Sequence, residues 1–218
     1  MQKQTSKKIG RWFLIALGGL LFFWLVLLKL ILQLKKGRGE PCPSSWSWLV
    51  DNPLRRWDVR NALTNAGLRS SETVLELGPG PGAFTVDAAQ RIGPEGKVIA
   101  VDIQPEMIAQ VEARVREAGV TNVETHIANA YDLPLEDASV DRAFLITVLP
   151  EIPDPVRALR EIRRVLKPGG IVSMTEEFLD PDYPRQATTI QWAEVAGFEL
   201  TERYGNFWVY TLNFKKPA

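Results

Sequence analysis

The sequence predicts an α/β fold with a seven-stranded, mostly parallel sheet, helices on both faces and a terminal antiparallel hairpin. Three observations predict it. Short apolar segments alternate with helix-like segments between residues 73 and 196. These segments are too apolar for a sheet with one wet face, which indicates parallel strands buried on both sides. Two strand-like segments then flank a Gly205-Asn206 turn, a pattern typical of a hairpin.

The predicted strands are residues 73–77, 97–102, 123–128, 140–147, 171–176, 198–203 and 207–214. The predicted helices are residues 54–66, 83–92, 105–118, 155–168 and 186–196. Local signals mark their ends, because glycine after a helix accepts a left-handed conformation and proline suits the first helical position. Gly67 and Gly119 stop two helices, Pro105 opens one, Asp154 caps the next, and Gly169-Gly170 ends it.

A glycine-rich turn lies at the centre of this pattern. Residues 74–82 are Val-Leu-Glu-Leu-Gly-Pro-Gly-Pro-Gly, which predicts a strand, a tight turn and the start of a helix. Glycine permits positive φ and the close approach of a ligand, and the helix start offers free N–H groups. We therefore expect a small polar ligand on Gly78, Gly80 and Gly82.

The turn alone leaves two ligand classes open. Gly78, Gly80 and Ala83 also satisfy the dinucleotide pattern G-x-G-x-x-A. Asp102 ends the next strand 20 positions after Gly82, where a carboxylate can accept hydrogen bonds from both ribose hydroxyls. NAD and S-adenosylmethionine fit these features equally well.

Two further features favour the second ligand. Glu76 precedes the first glycine by two residues, and Leu-Lys-Pro-Gly-Gly at 166–170 precedes another apolar strand. With these motifs, residues 54–216 resemble the class I S-adenosylmethionine-dependent methyltransferases, which have a Rossmann-like sheet. Residues 133–141 and 177–181 are similar to stretches of the ubiquinone and menaquinone biosynthesis methyltransferases, and phospholipid N-methyltransferases share much of the core.

The resemblance implies the cofactor-binding residues. It places the methionine end of S-adenosylmethionine against Glu76 and the glycine turn, and the ribose on Asp102. It places the adenine near Ile103, Asn129 and Ala130, although many relatives have Asp where this chain has Asn129. Thr147 is added because it lies at the carboxyl end of the fourth strand, where parallel sheets bind ligands.

The acceptor side is predicted from acidic and phenolic residues near the ends of strands. The candidates that could orient or deprotonate an acceptor are Glu151, Glu177, Asp180, Tyr131 and Tyr183, of which Glu151, Glu177 and Tyr183 are the predicted catalytic set. Pro150 stands where many relatives carry His.

No metal site is expected. The chain has one histidine and one cysteine, too few for a His-based metal site or a Cys–His nucleophile. His126 lies inside the third predicted strand, where a structural role is favoured over a role as a base. Cys42 lies between two prolines and is expected to be an unreactive surface thiol.

The N-terminal region predicts a membrane anchor. Residues 12–28 carry no charge, and residues 12–34 would span about 34 Å as a helix, which is enough to cross a bilayer. The predicted domains are a basic N-terminus and transmembrane helix (1–36), a Pro- and Trp-rich juxtamembrane linker (37–53) and the methyltransferase domain (54–218). A cleaved signal peptide is the alternative. Trp46 and Trp48 either rest on the bilayer or pack on the domain.

These features predict a membrane-anchored methyltransferase that acts on a small lipophilic acceptor of lipid or quinone type by in-line displacement. A single-pass topology with the domain in the cytoplasm follows, since cytosolic S-adenosylmethionine must reach it. Residues 1–38 hold eight bases and no acid, so the rest carries a charge of about −8, which argues against a nucleic-acid substrate. The alternatives are an NAD(P)-binding oxidoreductase and a catalytically inactive, membrane-tethered binding protein.

Overall fold

The fold is described from a computed structural model, which describes residues 17–20, 23–24, 26–27, 30–31 and 41–218. The basic N-terminus and most of the predicted membrane helix, residues 12–34, lie outside the described residues. Within the described ranges, no helix combines the length and the apolar character needed to cross a bilayer.

The predicted sheet is confirmed, with seven strands in the order β3-β2-β1-β4-β5-β7-β6. The first five strands are parallel, and β7 runs antiparallel to both β5 and β6. The strands are β1 (Thr73–Leu77), β2 (Lys97–Asp102), β3 (Val123–Ile127), β4 (Val140–Ile146), β5 (Leu166–Glu177), β6 (Glu199–Gly205) and β7 (Val209–Lys215).

Short helices precede the sheet and longer ones connect its strands. The helices are α1 (Ser47–Val50), α2 (Pro53–Asp58), α3 (Ala62–Ala66), α4 (Thr85–Ile92), α5 (Pro105–Ala118), α6 (Pro155–Val165) and α7 (Gln186–Val195). The predicted end signals at Gly67, Pro105, Gly119 and Asp154 hold. Gly67 and Gly119 end α3 and α5 with a φ of 66° each, and the Asp154 carboxylate accepts a hydrogen bond from the Arg157 N–H at 3.0 Å.

Two predicted helices were wrong in extent. The predicted helix 54–66 is divided into α2 and α3, because α3 buries Ala62, Leu63 and Ala66 while α2 keeps its side chains exposed or half-buried. Helix α6 ends at Val165 and not at the glycine pair. The following residues extend β5, since residue 166 pairs with Val140 and a residue before proline disfavours the helical conformation.

The sheet is buried on both faces, as predicted. Alternate residues of a strand enter two apolar clusters: Leu75 belongs to one cluster and Val74 to the other. Helix α6 covers the first cluster with Leu159 and Ile162, and α4 covers the second with Ile92. Exposure increases at the two edges, where β3 is half-buried and β6 is mostly exposed.

Replacing Leu159 with Ala should lower the free energy of unfolding by about 2–5 kcal/mol, because the side chain is fully buried between α6 and the sheet. Urea unfolding followed by circular dichroism measures the loss. Val195→Ala on α7 is the control, since Val195 is exposed and its loss should change stability by about 0.5 kcal/mol or less. Equal stability of Leu159→Ala and the parent protein would contradict this packing.

Candidate active site

A cleft of about 860 Å³ opens at the carboxyl ends of the parallel strands. Strand order reverses between β1 and β4, and in open α/β sheets ligands bind where the order reverses. The residues that end or follow four strands reach the cleft: Gly78 after β1, Asp102 on β2, Thr147 after β4 and Glu177 on β5.

The glycine turn forms one wall of the cleft. Gly78 has a φ of 69°, and a Cβ at this position would lie 2.5 Å from Cγ1 of Val148, so only glycine fits. Gly82 allows the turn to pack closely against α5, because a Cβ at this position would lie 3.2 Å from the Cα of Val111. Gly78 and Gly80 both line the cleft, whereas Gly82 is absent from its described lining.

Glu76 lies beneath this turn on β1, with only 3% of its surface exposed. It lines a small cavity that Arg55 and Gly78 also border. Burial raises the pKa of its carboxyl to about 8. Its Oε2 atom has no hydrogen-bond partner among the described residues. A buried carboxyl oxygen that lacks a partner beside a glycine turn fits the ammonium group of a bound amino acid.

Asp102 is held against the same turn from β2. Its Oδ2 accepts a hydrogen bond from the Gly80 N–H at 3.3 Å, and its Oδ1 accepts one from the Gln104 N–H at 2.9 Å. Burial raises the pKa of this carboxyl even though the backbone hydrogen bonds lower it. Asp102 therefore has a fixed orientation at the cleft surface, as a ribose-binding carboxylate requires.

The residues predicted to surround the adenine all line the cleft. Ile103 follows Asp102 with about half of its surface exposed, and Asn129 and Ala130 follow β3. The Asn129 Oδ1 atom accepts a hydrogen bond from the Tyr131 N–H at 3.0 Å, which leaves one of its lone pairs for a ligand. Adenine binding by these residues stays a prediction.

Arg55 of α2 connects the cover of the cleft to its acceptor side. Its Nε donates to the Glu177 carboxylate, and its second guanidinium nitrogen donates to the Thr147 hydroxyl. Thr147 has a φ of 55°, and its N–H donates to the Thr175 carbonyl at 2.8 Å. Arg55 is not among the residues predicted from the sequence. The available signal was a basic residue in the predicted helix 54–66, which directly precedes the strand of the glycine turn.

The structure brings four of the five acceptor-side candidates to the cleft. Its lining includes Tyr131, Glu151, Glu177 and Asp180. The fifth candidate, Tyr183, donates its hydroxyl to the Phe207 carbonyl at 2.6 Å, and it is absent from the described lining. Its predicted catalytic role is thus the one that this geometry supports least.

The cleft is acidic. Among its described lining residues, five are acids and one, Arg55, is a base; the acids are Asp58, Asp102, Glu151, Glu177 and Asp180. Burial raises the pKa of the Glu177 carboxyl, and the neighbouring Arg55 only partly opposes this. Behind them Glu176 is fully buried, and its burial together with nearby carboxylates raises its pKa. Such a site favours a cationic ligand over an anionic one.

Residues 41–58 cover the cleft through polar contacts. The Cys42 N–H donates to Glu151 at 3.2 Å, and Gln104 Nε2 donates to the Cys42 carbonyl at 2.9 Å. Asp51 forms an ion pair with Arg114 of α5 at 2.5 Å. Four residues of the predicted linker line the cleft, namely Pro41, Cys42, Trp46 and Asn52. Its two tryptophans differ, because Trp46 lines the cleft while Trp48 is exposed.

The single histidine lies elsewhere. His126 is on β3 with its Nε2 atom 2.7 Å from the Glu124 carboxylate, and it is absent from the described lining of the cleft. Within the described part of the chain, no cluster of three or more His, Cys, Asp or Glu residues is arranged to hold a metal ion.

The reversed strand order, the acidic cleft beside a glycine turn and the terminal antiparallel strand are the features of an S-adenosylmethionine-dependent methyltransferase domain. Residues 68–203 match the family described as a methyltransferase domain, and the chain belongs to this family. The predicted enzyme class and the predicted cofactor, S-adenosylmethionine, are confirmed at the level of this family.

Relatives and solved structures agree with this assignment. The chain is 37% identical over 137 residues to a ubiquinone/menaquinone biosynthesis C-methyltransferase of Pasteurella multocida, covering 61% of this chain and 51% of that protein. It is 36% identical over 119 residues to an arsenite methyltransferase of Halobacterium salinarum, covering 55% and 30%. The chain thus spans about half or less of these relatives. A SAM-dependent methyltransferase from Aquifex aeolicus has the same fold, with a TM-score of 0.75, 24% identity and coverage of 81% of this chain and 100% of that one.

Glu76 gives a prediction about cofactor binding. Its carboxyl keeps its proton up to about pH 8 in the free protein, whereas a cationic ligand beside it favours the carboxylate. Binding of S-adenosylmethionine at pH 7 should therefore release a proton, and affinity should rise as the pH approaches 8. Calorimetry in buffers of different ionisation enthalpy measures the release.

Glu76→Gln is the matched variant for this measurement. It keeps the size of the side chain but cannot ionise, so binding should weaken roughly 10- to 100-fold and the proton release should disappear. A Glu76→Gln protein that binds as tightly as the parent, with the same proton release, would exclude Glu76 from the site.

Proposed function

We propose that this protein transfers the methyl group of S-adenosylmethionine to a small lipophilic acceptor, of lipid or quinone type, at a membrane. The main support is a buried, unpartnered Glu76 oxygen beside the glycine turn, in a small cavity that shares Arg55 and Gly78 with the acidic cleft. S-adenosylmethionine is cationic at its ammonium and sulfonium groups, and this positive charge is complementary to the acidic residues of the cleft.

The residues of this chain would bind S-adenosylmethionine and orient it relative to the acceptor. S-adenosylmethionine, when bound, supplies a sulfonium methyl that is already electrophilic, so an acceptor needs alignment more than activation. Glu76 would hold the ammonium, Asp102 the ribose hydroxyls, and Ile103 would pack on the adenine. Holding two reactants in line can contribute up to roughly 7–11 kcal/mol to lowering the barrier.

The acceptor side would remove a proton where the acceptor has one to lose. Glu177 is suited to this task because burial raises the pKa of its carboxyl towards neutral pH, where a general base works best. Arg55 orients it from the covering helix. Glu151 and Asp180 lie on the same side of the cleft and provide further carboxylates.

A lipophilic acceptor is supported by the apolar wall of the cleft and by one relative. Trp46, Leu54, Phe178 and Trp208 line the cleft. A relative with about a third of its aligned residues identical is named for ubiquinone and menaquinone biosynthesis. The uncharged run 12–28 supports anchoring in a membrane, with the domain on the cytoplasmic side.

The oxidoreductase alternative is disfavoured by charge. NAD(P) carries phosphates, whereas the described lining presents five acids and Arg55 as its one base. The inactive binding protein differs only in turnover, so a catalytic assay separates it from the proposal.

Isothermal titration of the protein with S-adenosylmethionine, S-adenosylhomocysteine and NADH tests the cofactor. Both adenosyl ligands should bind and NADH should not. Asp102→Ala should weaken adenosyl binding by roughly 1.5–3 kcal/mol, because it removes a charged acceptor for two hydroxyls. Val195→Ala, on the opposite end of the sheet, should bind like the parent. Binding of NADH alone would overturn the assignment.

Deletion of residues 1–36 tests the anchor. The truncated protein should keep its affinity for S-adenosylmethionine and lose turnover of a long-chain quinone precursor in vesicles, because a tether raises the local acceptor concentration. A short-chain, water-soluble analogue of the same precursor is the control substrate, and its turnover should be unchanged. Equal turnover of the vesicle-bound precursor by both proteins would refute the role of the anchor.

A further inference from the structure

Large apolar side chains are exposed around the mouth of the cleft. Four of these side chains line the cleft. The fifth, Phe207, packs on Trp208, with ring centroids 5.7 Å apart. We call this set the apolar rim; it comprises Leu54, Trp57, Leu179, Phe207 and Trp208, which are 45–68% exposed. Such a concentration of exposed apolar surface marks an interaction site.

The rim is held in place by specific contacts. Phe178 lies beneath it, with ring centroids 4.9 Å from Phe207 and 5.0 Å from Trp208. The Phe178 N–H donates to the Trp208 carbonyl at 2.6 Å, and the Trp208 N–H donates to the Asn206 side chain at 2.8 Å. The exposed rings are therefore fixed by the backbone of the β6–β7 turn.

We propose that the apolar rim docks on the lipid bilayer, so that the mouth of the cleft opens directly onto the membrane and a lipophilic acceptor enters from the lipid phase. The inference rests on the proposed function, and it names the partner of the acceptor side. The bilayer contact is made by residues of three separate segments, 54–57, 179 and 207–208, and not only by an N-terminal anchor.

The chemistry of the rim fits a membrane interface. Indole rings favour this region because the ring is buried in apolar surroundings while its N–H stays wet, and the rim presents two of them. The Arg60 guanidinium lies 4.3 Å from the ring centroid of Trp57. When the Trp57 indole inserts into the interface, the neighbouring guanidinium can reach the lipid phosphates while the aliphatic part of the Arg60 side chain covers apolar surface.

The length of the chain supports a bilayer as the occupant. Six residues separate the predicted membrane helix, which ends at residue 34, from Pro41, which lines the cleft. Seven fully extended virtual bonds reach at most about 25 Å. If residues 12–34 cross the bilayer, this wall of the cleft lies within that distance of the membrane surface, and the rim surrounds the adjacent opening.

The test uses the full chain in vesicles of phosphatidylcholine and phosphatidylglycerol that contain a spin-labelled lipid. In a Cys42→Ser background, Leu179→Cys carries an environment-sensitive fluorophore, and Val195→Cys is the matched control. Leu179 is distant in sequence from the anchor, and Val195 is an exposed apolar residue near the amino ends of the parallel strands. We expect a blue shift and strong quenching at position 179, and neither at position 195.

A second variant separates docking from tethering. Trp57→Ser with Trp208→Ser leaves the N-terminal segment intact, and it should reduce the quenching at position 179. Equal quenching at positions 179 and 195, no quenching at 179, or quenching that survives loss of both tryptophans would overturn the proposal.

Titration of the same vesicles with S-adenosylmethionine keeps the two proposals distinct. Quenching at position 179 without cofactor binding would support the docking surface and contradict the proposed function. Cofactor binding without quenching would leave the proposed methyltransferase in place and remove the docking surface.

Discussion

The reversal of strand order between β1 and β4 is the constraint on which the rest of the site depends. The connections that leave β1 and β4 run to opposite sides, so the helices diverge there and leave a crevice at the carboxyl ends of the strands. Glu177 lines that crevice, and Glu76, 101 positions earlier in the chain and on the other side of the reversal, lines a small cavity beside it. A parallel sheet buried on both faces can place several acids in one small volume only at this edge.

Desolvation of those acids determines what the crevice can bind. The pKa values of Glu76, Asp102 and Glu177 are all raised by burial, and Arg55 is the single base in the described lining. A cationic ligand would offset the excess of acidic residues in the cleft, whereas a phosphate would add further negative charge. The same glycine turn occurs in dinucleotide-binding folds, so the charge of the cleft, and not the turn, distinguishes the two ligand classes.

Local signals made much of the fold predictable. The bounds of β1 and β2 are those that the sequence predicts, and Gly67, Gly119 and Asp154 end or cap helices as expected. The errors have non-local causes. Residues 166–170 were assigned to a helix end, but they extend β5 because partners on β4 and beyond β7 are available. Likewise, the predicted helix 54–66 is divided because α3 packs into the apolar core whereas α2 has no buried side chain.

The candidate site was predictable only in part, for the same reason. Glu76, Asp102 and the glycine turn occur in a compact stretch with a recognisable pattern. By contrast, Arg55 acts on Glu177 across 122 positions, and the apolar rim joins three distant segments. No periodicity or spacing brings such residues together. Tyr183 shows the converse, since its position after β5 suggested a role that its hydrogen bond to Phe207 does not support.

If the N-terminal segment anchors the chain as proposed, the contacts of residues 41–58 make cofactor loading and membrane attachment parts of one equilibrium. This segment covers the cleft through Arg55 and Asp51, and the chain before it leads to the uncharged N-terminal run. Any force or ligand that draws the segment away from the sheet must then change the affinity for the cofactor. By thermodynamic reciprocity, the bound cofactor changes the strength of that attachment by the same factor. Coupling between the two sites would thus need no element beyond these eighteen residues.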